Sequence, residues 1–144
     1  MAFSNILVPF DGSAYSMRAF NAALKIASSH KSKVKIMTCL EKENLGAWYI
    51  DKRINKKILN DAKKYAKKEL SKLEKIAQKS NVPLSINVVE AKSTSKHIVD
   101  YAAAHKVDLI VIGSHGQSKI KRFLLGSISN AVSQLAKCPV LIIK

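Results

Sequence analysis

Three glycines, Gly113, Gly116 and Gly126, with the hydroxyl of Ser127 directly after the last, are the residues of this sequence best suited to hold an anion. Glycine can take positive backbone dihedrals and lets an anion come close to the chain. Gly126 and Ser127 also stand where a helical pattern begins, so unpaired amides and the positive end of a helix dipole favour phosphate there. Neither the dinucleotide spacing G-x-G-x-x-G nor a glycine followed by Lys-Ser or Lys-Thr occurs, so the familiar phosphate loops are excluded. Asp11 is the second candidate. It follows a short apolar run with Gly12 and Ser13, where a carboxylate either accepts from a ligand hydroxyl or caps its own turn.

Other polar residues fit no catalytic pattern. His30, His97, His105 and His115 are neither paired at ligand spacing nor backed by cysteines, so no metal site is expected. His115 lies inside the glycine segment but has no carboxylate or cysteine nearby in sequence to make it a base, and is read as exposed and non-catalytic. Lys119, Lys121 and Arg122 are either solvated charges or cations that assist a phosphate. No Walker lysine, positioned glutamine or acidic pair is present to activate water, so no catalytic residue is assigned.

The elements that must position these residues follow from periodicity. Ile6 to Phe10 is nearly continuous in apolar residues, as in a strand covered on both faces. Ala14 to Ala27 repeats at helical spacing behind a Ser13 cap. Val34 to Leu40 reads as a strand, and residues 41 to 50 as a loop in which Trp48 and Tyr49 pack or cover a ligand. A long helix is predicted from about Asp51 to Lys79 with one possible break, ending before Pro83. Leu84 to Val89 is a third strand. Ser93, Thr94 or Ser95 caps a helix through Ala103, and Val107 to Ile112 is a fourth, buried strand. Ile128, Ala131, Val132 and Leu135 form a short helical face before a last strand from Val140 to Ile143. Alternating strands and helices predict a doubly wound α/β parallel sheet with helices on both faces, and ligands at the carboxyl ends of its strands. Asp11, Leu40 and Gly113 all follow such ends.

The chain of 144 residues, 47% hydrophobic, is long enough for one substantial core and is expected to be one domain, 1–144. No apolar run approaches the roughly 20 residues needed to cross a bilayer, and the opening residues lack a signal-peptide pattern, so a cytoplasmic protein without a membrane partner is expected. Cys39 and Cys138 occur in no motif and are read as buried, reduced thiols. The formal charge of +15 raises the question of polyanions. Much of it lies between Lys52 and Lys79, alternating with apolar residues as on the solvated face of a helix. With no zinc-finger, aromatic RNA-binding or helix-turn-helix pattern, no nucleic-acid partner is expected.

From Gly113 to Ser127 the spacing is Gly, two residues, Gly, nine residues, Gly, Ser. This segment resembles the nucleotide-binding motif of the universal stress protein family, and every fixed position matches. Ile6 to Pro9 with Asp11, Gly12 and Ser13 resembles the family's opening strand and turn, and Cys138 to Leu141 its closing strand, so the likeness spans nearly the whole chain. The resemblance implies a five-stranded sheet of order 3-2-1-4-5, of the adenine nucleotide alpha hydrolase-like kind. It also implies a ligand: ATP, or ADP or AMP, with magnesium arriving on the phosphates. In the ATP-binding branch Asp11 would meet the ribose with Pro9 nearby, Leu40 the adenine through its backbone, and Ile112 and Gly113 the nucleoside. Gly116, Gly126, Ser127 and Ile128 would surround the phosphates. One departure is Ala91 to Thr94, where many relatives carry a glycine and often a proline.

The expected function is therefore a nucleotide-responsive stress or regulatory protein that binds ATP, with hydrolysis absent or slow. The alternatives are a scaffold of the same fold without nucleotide, a polyanion-binding protein using the basic helix, and a weak ATPase. Nothing follows Val140 to Ile143 but Lys144, so the last strand is expected at a sheet margin, and the resemblance implies a homodimer formed by pairing that strand about a twofold axis.

Overall fold

The computed structural model describes residues 3–41, 52–116 and 125–144, with side chains described up to residue 40 in the first stretch and from residue 56 in the second. Along the chain run β1 (Asn5–Pro9), α1 (Ala14–His30), β2 (Lys33–Glu41), α2 (Lys52–Lys79) and β3 (Leu84–Ala91). Then come α3 (Thr94–Ala104), β4 (Leu109–Gly113), α4 (Ser127–Leu135) and β5 (Val140–Ile143). The five strands form one parallel sheet in the order β3-β2-β1-β4-β5, as expected.

Strand alternation divides the apolar residues between two layers. Ile6 and Val8 of β1 and Leu109 and Val111 of β4 pack with Phe20 of α1 and with Leu70 and Leu73 of α2. Leu7, Ile110 and Ile112 point the other way, onto Ile98 of α3 and Val132 of α4. Helices therefore cover both faces, and β4 is buried along its whole length. Because β1 lies between β2 and β4, the strand order reverses beside it, and the crevice that sheets of this kind form at such a point falls beyond the carboxyl ends of β1 and β4.

The caps behave as their residue types require. Ser13 Oγ accepts from the Ser16 amide at 3.1 Å to start α1, and Ser93, among the three candidates, accepts from Lys96 at 3.4 Å to start α3. Helix α2 is continuous from Lys52 to Lys79 rather than broken, since no Gly or Pro interrupts it.

Strand boundaries depart from periodicity where pairing with a neighbour decides them. β3 runs on to Ala91 since β2 offers partners to Glu41, in unbroken register from Val34 with Leu84 to Glu41 with Ala91. β4 begins at Leu109 rather than Val107. The Val107 amide instead donates to Ala102 at 3.0 Å, and the Asp108 carboxylate accepts from the amides of Ser4 and Asn5 at 2.9 and 3.0 Å, tying β4 to the start of β1. Cys39 and Cys138 are half-buried rather than buried, lying against the α3 and α4 side of the core. Burial pushes the Cys138 thiol above its ordinary value. Among the described residues no helix is long and apolar enough to cross a membrane.

Candidate functional site

The first wall of the crevice is the turn after β1. The Phe10 amide donates to the Met37 carbonyl at 2.8 Å and Thr38 Oγ1 donates to the Phe10 carbonyl at 2.8 Å, so the end of β1 is held by β2 on its outer side. Gly12 takes φ 83° and is the glycine among those described with a positive φ, which makes it the turn residue. Asp11 is exposed, and its Oδ1 accepts from the Ser13 amide at 2.9 Å. The turn-capping role weighed for Asp11 is thus occupied by one oxygen. The other, Oδ2, stands 2.7 Å from where a Cβ on Gly116 would be. Residues more than a hundred positions apart therefore face each other across the switch point.

The second wall runs from β4 to α4. The Ser114 amide donates to the Ile143 carbonyl at 2.7 Å, continuing the β4 to β5 ladder by one step. Its carbonyl accepts twice, from the Gly126 amide at 2.7 Å and from Ser129 Oγ at 2.9 Å, and Ser129 Oγ also lies 3.1 Å from the Gly126 carbonyl. These bonds fix the α4 N-terminus beside the end of β4 although Gly126 lies 12 positions beyond Ser114 in sequence. Gly126 is the N-cap, with φ −59° and ψ 157° and no side-chain cap bond, and the first turn of α4 carries no acidic residue. A helix start of that kind has donors and a positive field and no carboxylate of its own turn competing for them.

The three glycines of the motif serve different purposes, and none of them needs a positive φ. A Cβ on Gly113 would lie 2.8 Å from Tyr15 Cβ and 2.9 Å from Tyr15 C, so this glycine lets α1 approach β4. On Gly126 a Cβ would meet the Ser114 carbonyl oxygen at 3.2 Å and His115 Cα at 3.3 Å. At Gly116 it would meet, among the described residues, the Asp11 carboxyl group.

Of the remaining candidates, Pro9 ends β1 and is half-buried, and Leu40 is half-buried on β2 one residue before its end. The Ile112 side chain is 5% exposed and packs into the α3 and α4 layer, so only its backbone can border a ligand. Ser127 and Ile128 are exposed in the first turn of α4. His115 is half-buried rather than exposed: its Nδ1 lies 3.0 Å from Ser114 Oγ, and its ring packs on Tyr15 at 5.2 Å between centroids. Arg18 in turn covers Tyr15 at 4.6 Å. Trp48, Tyr49, Lys119, Lys121 and Arg122 lie outside the described residues. Sequence reasoning missed Ser114, Ser129 and Tyr15. The hydroxyl of Ser129, in the first turn of a helix with a glycine cap, was the available signal.

Among the described residues no three His, Cys, Asp or Glu side chains converge to hold a metal ion. The arrangement can accept a hydrogen bond from a hydroxyl group at Asp11 and offer amide and hydroxyl donors to an anion at α4. A molecule carrying both groups would span the two walls.

A model of the universal stress protein family matches residues 2–144. The chain is 33% identical over 150 residues to universal stress protein YxiE of Bacillus subtilis, covering 99% of both chains. Its fold superposes on universal stress protein UspA from Lactobacillus plantarum with TM-score 0.88, at 26% identity, covering 100% of this chain and 99% of that one. A universal stress protein solved in complex with cAMP matches with TM-score 0.67 and 27% identity, covering 99% and 98%. The adenine nucleotide alpha hydrolase-like sheet expected from the motif is the one these relatives share.

Proposed function

Because the chain belongs to the universal stress protein family, we propose that it binds an adenine nucleotide across the crevice at the ends of β1 and β4 and acts in the cytoplasm as a nucleotide-responsive stress protein. The observation that carries this reading is the pairing of a carboxylate and a bare helix start at one switch point, Asp11 over Gly116 and the glycine-capped α4 beside them. A relative in complex with cAMP supports the adenine class. In this reading Asp11 Oδ2 accepts from the ribose hydroxyls with Pro9 nearby, and the Leu40 backbone borders the adenine. The backbones of Ile112 and Gly113 line the nucleoside. Gly116, Gly126, Ser127 and Ile128 surround the phosphates of ATP, with magnesium held chiefly by the phosphates. In this reading the site binds, with hydrolysis absent or slow, and the whole chain, 1–144, serves as one nucleotide-binding domain.

The test uses protein stripped of ligand. Excess ATP with magnesium, AMP or cAMP should raise the melting temperature, by the equivalent of about 2.7 kcal/mol at a hundredfold excess over Kd. Asp11→Asn keeps an oxygen for the Ser13 amide but removes the charge, and should weaken binding by about 1 to 3 kcal/mol with little change in the unliganded melt. Melting unchanged by all three nucleotides at millimolar concentration would end the proposal.

A dimer through β5 belongs to the same reading. Leu141 on β5 is 39% exposed, and Leu125, Ile128 and Leu135, in or just before α4, are also exposed large apolar residues. An apolar sheet margin of this kind invites a second copy. Ile142 packs into the α3 and α4 layer, so aspartate there damages the fold, whereas Leu141→Asp should leave the monomer folded and break the dimer. Light scattering behind a sizing column decides between the two states, and a wild-type monomer at tens of micromolar in moderate salt would remove the dimer.

A further inference from the structure

We propose that the outer face of α2 is a docking surface for the sugar-phosphate backbone of a nucleic-acid duplex, bound without regard to base sequence. Helix α2 holds eleven of the chain's 25 Lys and Arg against three of its 10 Asp and Glu. Leu70, Leu73 and Ala77 are buried and fix which side faces the sheet. Lys57, Lys64, Lys68, Lys72, Lys75 and Lys79 are all exposed. At 3.6 residues per turn they fall within an arc of about 80°, diametrically opposite the buried residues, and form a straight line about 33 Å long.

Six lysines stand on this line against a single carboxylate. Asp61 is its one carboxylate, and Lys72 reaches Glu69 on the flank at 3.0 Å. Lys63, which bonds Glu90 at 2.6 Å, lies off the line. Lys64 with Lys68, Lys68 with Lys72, and Lys75 with Lys79 are like-charge pairs at the i, i+4 spacing, which weakens a helix in isolation. An opposing line of charge laid along the helix removes that repulsion and releases counterions. A duplex supplies one, with a phosphate about every 1.7 Å along its axis. An anionic membrane fits less well: insertion needs an exposed apolar face, and the apolar side of α2 is committed to the core. Lysine rather than arginine makes up the line, which suits phosphate as a point charge and not the bidentate reading of bases. The expectation of no nucleic-acid partner rested on missing base-reading signatures, which backbone binding does not require.

The test is fluorescence anisotropy of the full chain with two DNA duplexes of unrelated sequence, each about 25 base pairs, between about 50 and 200 mM salt. Equal affinity for both is expected, with log K falling against log salt at a slope of about −4.5 to −5.4 if five or six phosphates are engaged. The triple variant Lys64→Glu, Lys68→Glu, Lys75→Glu should lose at least about tenfold in affinity and flatten the slope by about 2 to 3. Lys25→Glu, Lys33→Glu, Lys137→Glu makes the same change in net charge away from α2, at exposed positions, and should lose far less. Melting curves check folding, and glutamine replaces glutamate if the first variant melts early. No duplex binding at the lowest salt, equal loss in both triple variants, or sedimentation with phosphatidylserine vesicles while the duplex stays free would each overturn the proposal.

Discussion

Gly116→Val should abolish adenine-nucleotide binding while shifting the stability of the unliganded protein by no more than about 0.5 kcal/mol, the usual range for a surface change. The new Cβ would stand 2.7 Å from Asp11 Oδ2, and among the described residues it meets no backbone atom within 4 Å outside its chain neighbours. The far end of a carboxylate side chain rotates away cheaply, and Gly116 has no positive φ to be strained. The fold therefore yields, but the ligand loses both the space beside the chain and the orientation of Asp11. A loss of at least about a hundredfold, or 2.7 kcal/mol, is expected by calorimetry. Gly126→Val should also remove binding, with a cost to the unliganded fold, because there the contacts are the Ser114 carbonyl and His115 Cα. Wild-type affinity in Gly116→Val would mean that the ligand lies elsewhere.

Gly113→Val should act on the fold. Its Cβ would come within 2.8 to 3.0 Å of Tyr15 Cβ, C and O, at a fully buried strand end packed under the first turn of α1. Backbone cannot swing aside as Asp11 can, so α1 must lift from β4 or the strand must distort. Overpacking of this sort costs typically about 1 to 3 kcal/mol and more where backbone is the obstacle, so about 3 kcal/mol or greater is expected. Urea unfolding measures it. A neutral Gly113→Val would show that α1 is free to shift, and the division of labour among the three glycines would fall.

These opposite outcomes mark the limit of what the motif conveyed. Read in sequence, Gly113, Gly116 and Gly126 form one phosphate-binding pattern, and Gly116 and Gly126 invite the same substitution with the same result. The distances assign Gly113 to helix packing, Gly116 to the space under Asp11 and Gly126 to the closure against Ser114. Sequence leaves Asp11 as a turn cap or a ligand contact; in the fold its Oδ1 accepts from the Ser13 amide and its Oδ2 lies beside Gly116.

The sequence by itself determined the number, order and kind of the elements, because periods of two and 3.6 are local properties of each segment and its caps. Ser13 before Ala14 and the apolar run of β4 needed no partner to be legible. Tertiary structure decided where strands stop, since β3 reaches Ala91 only because β2 pairs with it and β4 starts at Leu109 because Asp108 is engaged by Ser4 and Asn5. It also decided the site, whose parts meet across a hundred residues: Asp11 with Gly116, Tyr15 with Gly113 and His115. Such contacts are set by the crossing of α1 over β4 and by the sheet order. A distance between sequence-remote atoms has no periodic trace along the chain, so it becomes readable only once the layers are packed.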